Sequence, residues 1–195
     1  MPLEAHAKLT IECKLFNDIL TFCSDLKKAV IKSLCADYEL YLPATTKTEE
    51  QHIEAVKNKA NDLLSMVRYL CGEPDDQGRA SNFTHRALKN ICLAFYYGNT
   101  SKCLHQFLEF QEYVPYRALA LVTAMVHALL SSFRKHSINN SAQINLQDVE
   151  DTYAVLNEAI LDVLDHPHHG PKLNVMLADW AWSGMYVSIR IDTNT

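Results

Sequence analysis

Glycine is scarce in this chain, five residues in 195, which argues against a loop-rich or β-rich fold. No glycine-rich phosphate loop and no catalytic triad pattern is present. The six cysteines, Cys13, Cys23, Cys35, Cys71, Cys92 and Cys103, form no Cys-x-x-Cys pair, so the common zinc and thiol-redox spacings are missing. Positive charge is not in excess either: 18 Lys and Arg face 23 Asp and Glu, a net charge of −5. A molecule of that charge repels a phosphate backbone unless its cations cluster, which argues against nucleic acid as a partner of this chain alone. Lys27, Lys28 and Lys32 make one small basic group and Lys57, Lys59 and Arg68 another, the second beside Glu49, Glu50 and Glu54. Both read as solvated helix faces. The first residues show no basic segment followed by an apolar core, so no secretory signal is visible. The expectation is a protein inside the cell, cytoplasmic or nuclear, with six reduced thiols acting as small hydrophobes. The longest apolar run, Ala118 to Leu130, falls short of the ~20 residues a membrane span needs. It reads as a core helix, with no membrane partner.

What the chain does contain is helical periodicity. Pro115 to His136 includes Leu119, Leu121, Val122, Met125, Val126, Leu129 and Leu130, which surround the helix axis rather than forming one stripe. Such a helix must be wrapped by others, so residues 115–134 are expected at the centre of an all-α bundle. Upstream, Leu15, Ile19, Phe22, Leu26, Val30 and Leu34 recur at three or four residues, widened by Phe16, Leu20, Cys23 and Ile31, and predict one long helix closed by Pro43. Ala44 to Lys47 reads as a linker. Thr48 and Gln51 fit a capping box, opening a helix to about Cys71 with Ile53, Val56, Ala60, Leu63, Leu64 and Val67 inward. Gly72 to Asn82 is the clearest loop.

A helix over 83–97 follows, with Leu88, Ile91, Cys92 and Phe95 on one face and Gly98 as its stop, and then a shorter one over 102–112. After the central helix comes a polar loop, Ser137 to Ser141. Asn145 caps a helix with Leu146, Val149, Tyr153, Leu156, Ile160 and Leu164 inward, which ends at Asp165. Pro167, Gly170 and Pro171 interrupt it, and a short last helix over 172–182 carries both tryptophans. The alternation after Gly184 resembles a strand, yet a lone strand is not stable. Residues 1–182 therefore read as one domain of six or seven helices, with 183–195 as a loosely ordered tail.

The segment Ser-Asn-Phe-Thr-His-Arg-Ala-Leu-Lys-Asn-Ile-Cys-Leu-Ala-Phe-Tyr-Tyr (81–97), then Phe107 to Pro115, then Ala-Leu-Ala-Leu-Val-Thr-Ala (118–124) and the helix with Tyr153 resemble an uncharacterised helical family of mushroom-forming (basidiomycete) fungi, designated a domain of unknown function (6532). The resemblance covers about Phe16 to Trp180 and is most convincing over Phe83 to Leu164. It implies an all-α intracellular domain, often the carboxyl-terminal part of a longer protein, and brings no catalytic residues with it. After Leu130 the chain departs from the family's pattern, because Ser-Ser-Phe-Arg-Lys-His stands where an acidic-Trp segment ending in Gly is expected.

Four constellations could carry chemistry. Asp162, Asp165, His166, His168 and His169 combine good zinc, nickel or copper ligands, but on a Pro-Gly turn that lacks rigid convergence. Cys92, Cys103 and His105 supply three ligands across the Gly98 turn and lack a fourth; Cys13 and Cys35 share a helix face but sit on the order of 33 Å apart. His127 has no carboxylate three or four positions along its helix, and a core histidine bonded to a carbonyl is the simpler reading. Phe95, Tyr96, Tyr97, Phe107, Phe110, Tyr113 and Tyr116 are interleaved with Glu109 and Glu112 rather than cations, which favours helix packing over base stacking. No catalytic, cofactor-binding or metal-binding residue is assigned. The leading expectation is a non-catalytic interaction or structural module with a protein partner. A nucleic-acid-associated module of a longer or mobile-element-derived protein and a metal-dependent enzyme are the alternatives.

Overall fold

The computed structural model of the chain describes residues 18, 21–40, 48–98, 103–136 and 144–192, with side chains to Tyr186. Cys13, the early stripe positions Leu15, Phe16, Ile19 and Leu20, Pro43, the linker Ala44 to Lys47 and the loop Ser137 to Ser141 lie outside the described residues. Among those described there are seven α-helices and no strand: α1 (21–36), α2 (Glu49–Leu64), α3 (Arg86–Tyr96), α4 (Leu108–Glu112), α5 (Tyr116–His136), α6 (Leu146–Asp165) and α7 (His169–Asp192). The fold is the all-α bundle that the periodicity implies.

α5 is its centre. Leu119, Ala120, Val122, Ala124, Met125, Val126, Leu129, Leu130 and Phe133 are buried, and α2, α3 and α6 pack around them. By length and composition α5 is apolar enough to cross a membrane, and 56% of its most apolar window is buried inside the fold. Leu121 departs from expectation: it is only partly buried.

α1 buries Leu26, Val30 and Leu34 as expected but ends at 36, well before Pro43. Glu39 adopts a left-handed φ of 53° and the Leu40 N–H donates back to the Leu34 carbonyl at 3.3 Å, so a left-handed residue reverses the chain and one of the helix's last carbonyls is satisfied. The turn sends Tyr38 and Leu40 back into the core. In α2, Thr48 Oγ1 accepts from the Gln51 N–H at 3.3 Å, the cap read from the sequence, and Val56, Ala60 and Leu63 are buried. The helix does not reach Cys71. It stops at Leu64 and gives way to a 3-10 segment, Ser65–Leu70, in which Met66 and Val67 take left-handed φ of 52° and 51°. Val67 is exposed rather than inward. Two left-handed residues cost about 1–2 kcal/mol each; the reversal repays this by burying Tyr69 and Leu70, with the Tyr38 hydroxyl donating to the Tyr69 carbonyl at 2.7 Å.

The loop expected over Gly72 to Asn82 is present and tightly bonded, but it runs on to His85: Phe83, expected to open the helix, takes a left-handed φ of 61° and α3 starts at Arg86. Asp75 Oδ1 accepts from the Gln77 and Arg79 N–H groups, both at 2.9 Å, Gly78 turns the chain at φ 75°, and Gly72 N–H donates to Ser81 O and Thr84 Oγ1. The expected helix over 102–112 is reduced to α4, because Leu104 N–H donates back to Tyr96 O and the chain turns until Phe107. Asn145 caps α6 through its side chain, and Val149, Leu156 and Ile160 are buried while Leu146, in the first turn, is exposed.

The largest departure is α7. The expected short helix and separate tail form one continuous helix from His169 to Asp192, so the backbone shows no boundary at 183. Pro171 sits in the first turn, where its missing N–H breaks no helical bond. Strand-like alternation after Gly184 does not override the face already set by Leu173, Leu177, Trp180 and Ala181, all buried, which Gly184 extends by packing against Tyr97.

Candidate functional site

The histidine turn is built around His166. Its Nδ1 accepts the backbone N–H groups of His168 at 3.2 Å and His169 at 3.3 Å, while its carbonyl accepts the Gly170 N–H at 2.8 Å. The segment is exposed at residues 166–169, as expected, and is also a compact cap that starts α7 directly after α6. The imidazoles crowd together, His166 and His169 at 4.5 Å between centroids and His168 and His169 at 5.2 Å. Lys172 Nζ donates to His168 Nε2 at 3.0 Å. Local desolvation, then the neighbouring His166, His168 and Lys172, hold His169 below the ordinary imidazole range. Among the described residues no three of His, Cys, Asp or Glu converge as metal ligands, so Asp162 and Asp165 do not complete a site with these histidines.

That turn forms one wall of a cleft of about 680 Å³ whose other wall is the loop from Asp75 to Thr84. Arg79 lines it but is already paired, its Nε and guanidinium NH2 both 2.9 Å from Asp75 Oδ2. The Arg79 backbone N–H first, then its side chain, hold the Asp75 carboxyl below its usual range.

Cys103 Sγ approaches His105 Nε2 at 3.8 Å, while Cys92 is fully buried and its thiol pushed far up by that burial. The three do not converge on one point. The five described cysteines are free thiols.

His127 lies 5.9 Å from the Tyr69 ring between centroids, and burial followed by Arg134 depresses its pKa. It borders a cavity of about 440 Å³ between the end of α5 and the start of α6, where Asp148 and Asp151 also stand. Those two carboxylates escaped the sequence reading, because they reach His127's cavity from another helix. Each carboxylate bonds near the start of its own helix, Asp148 with the Asn145 amide and Asp151 with Gln147.

The aromatic group packs, as its acidic interleaving implied: Tyr96 and Phe110 lie 5.1 Å apart and Phe95 and Tyr96 5.0 Å. Tyr97 donates its hydroxyl to Phe110 O at 2.7 Å. Phe107 and Tyr113 are exposed. Of the two basic groups, Lys28 pairs with Asp25 and Arg68 with Asp62, which weakens both as cationic patches.

The sequence reading also missed the outer face of α7. Val175, Trp182 and Tyr186 are 71%, 67% and 46% exposed, and at i, i+7 and i+11 they fall on one line opposite Leu173, Leu177 and Ala181. The Trp182 and Tyr186 rings stack at 5.5 Å and 16°. A helix ending at Trp182, as the sequence suggests, would leave Tyr186 off this stripe; α7 continues to Asp192 and carries all three residues.

The model of the family described as Domain of unknown function (DUF6532) matches residues 5–162, and the chain belongs to that family. No curated protein and no solved structure matches it.

Proposed function

We propose that this member of the family is a non-catalytic, intracellular helical interaction module that seats one amphipathic helix of another protein on the outer face of α7. The observation that carries the reading is the aligned stripe of Val175, Trp182 and Tyr186, with Trp182 two-thirds exposed. Anchors at i, i+7 and i+11 are the spacing at which two helices meet along one seam. At these exposures the stripe presents roughly 300–400 Å² of surface. That falls short of the ~800 Å² per partner of a standard stable interface, so it suits an anchor for a single helix better than a lasting dimer of this chain. Trp and Tyr are the residue types that dominate such anchors. The net charge of −5 supports a protein partner over a nucleic acid.

The test compares the intact protein with its Trp182→Ser variant by quantitative affinity purification from cells, then measures binding to each purified candidate. A direct partner whose affinity falls about 30-fold in the variant, at unchanged melting temperature, supports the reading. Equal binding by the variant sinks it. A wild-type dimer that Trp182→Ser dissociates overturns it in favour of self-association.

A further inference from the structure

We propose that the cleft between the Asp75 to Thr84 loop and the first turn of α7 is a binding site for a small organic phosphomonoester. It is distinct from the outer face of α7 and stands or falls independently of it. Lys172 and the imidazoles of His168 and His169 line the wall at the start of α7, while the acidic group lining the cleft, Asp75, is neutralised by Arg79. Among the described residues lining the cleft, the Lys172 ammonium therefore faces no unpaired carboxylate, and a bound anion would also favour the protonated form of His169, which desolvation, then His166, His168 and Lys172, now hold low. Side chains must hold that anion, because His166 already occupies the N–H groups that open α7.

Across the cleft, Ser81 contributes a hydroxyl and Asn82 an amide. Asn82 Oδ1 faces Cys71 Sγ at 3.5 Å, which leaves its NH2 group to donate. A phosphomonoester offers three terminal oxygens and a charge of about −1.5 to −2 near neutral pH, whereas a carboxylate offers two oxygens and one charge. The donors on two walls match the former. Val163, Leu173 and Met176 line the same cleft and give an apolar body somewhere to lie.

The experiment follows the histidine imidazole signals of the intact protein by NMR during titration with phenyl phosphate, with benzoate and sodium sulfate at matched ionic strength as comparators. Expected are saturable shifts of His168 and His169, with those of His85 and His127 unmoved, and binding at least about fivefold tighter than benzoate. Lys172→Met should weaken it about tenfold, the loss of one charge-assisted hydrogen bond. Should that variant melt early, the exposed His169→Gln provides the same comparison. Shifts that follow ionic strength alone, benzoate binding equally well, or wild-type affinity in a normally folded variant each overturn the site.

Discussion

Gly184 of α7 lies flat against the ring of Tyr97: a Cβ at that glycine would meet Tyr97 Cγ at 2.4 Å and Cδ1 at 2.7 Å. The ring is not free to retreat, because its hydroxyl donates to Phe110 O. This contact brings α7 into register with the end of α3 and with α4.

Gly184→Ala therefore sets two effects against each other. Replacing a helical glycine by alanine ordinarily stabilises by about 0.5–1 kcal/mol, but forcing an atom into a packed interface costs about 1–3 kcal/mol. The clash should win, and urea denaturation should show a net loss. Stability at or above wild type would mean that α7 does not approach Tyr97 this closely.

Position on α5 should grade the effect of a carboxylate. Val126 is fully buried, and an unpaired charge there costs several kcal/mol of a total near 5–15 kcal/mol; Val126→Asp should not fold cooperatively. Leu121, half-buried beside the apolar groove bordered by Phe22 and Tyr153, lets a carboxylate reach water, so Leu121→Asp should keep a cooperative, lowered melt. Circular dichroism of the two variants distinguishes the positions, and equal behaviour would contradict the burial pattern.

Acid should destabilise the fold through His85. Its Nδ1 accepts the Ala87 N–H at 3.2 Å and its ring stacks on Tyr38 at 4.3 Å, so the cap requires the neutral imidazole. Burial, then Arg86, with Lys59 adding to it, depresses its pKa against the opposing pull of Asp37 and Glu73. With the folded pKa below the unfolded value of about 6.5, the unfolded chain binds more protons. The stabilisation is complete above that value and declines as pH falls beneath it. His127 contributes with the same sign. His85→Asn, which can cap without titrating, should flatten the fall in melting temperature between pH 7 and pH 5; an unchanged slope would remove His85 from the account.

Thiol accessibility offers a check on the core. Cys92 is fully buried, whereas Cys23, Cys35, Cys71 and Cys103 are partly exposed. Titration of the native protein with a thiol reagent should leave Cys92 unreacted until urea unfolds the chain. Under denaturing, non-reducing conditions all six cysteines, Cys13 included, are expected to react. Four or fewer would indicate disulfides, and fast native labelling of Cys92 would indicate an open core.

Local periodicity made most of the architecture legible. The all-α class, the central place of α5, the caps at Thr48 and Asn145, and the inward faces of α3 and α6 all follow from side chains repeating at the helical period, with polar groups able to bond nearby N–H groups. Each depends on residues within a few positions of one another, so the sequence by itself determined them.

The tertiary structure decided what depends on partners distant in the chain. The left-handed turn at Met66 and Val67 exists because reversal buries Tyr69 and Leu70 against other helices. α7 runs past Gly184 because Tyr97, 87 residues earlier, accepts a bare backbone. Asp148 and Asp151 border the cavity of His127, and the Ser81 loop faces Lys172, only because packing brings them there. Such arrangements have no local signature: the energy that selects them is the burial and pairing of surfaces that become neighbours only after the chain has folded.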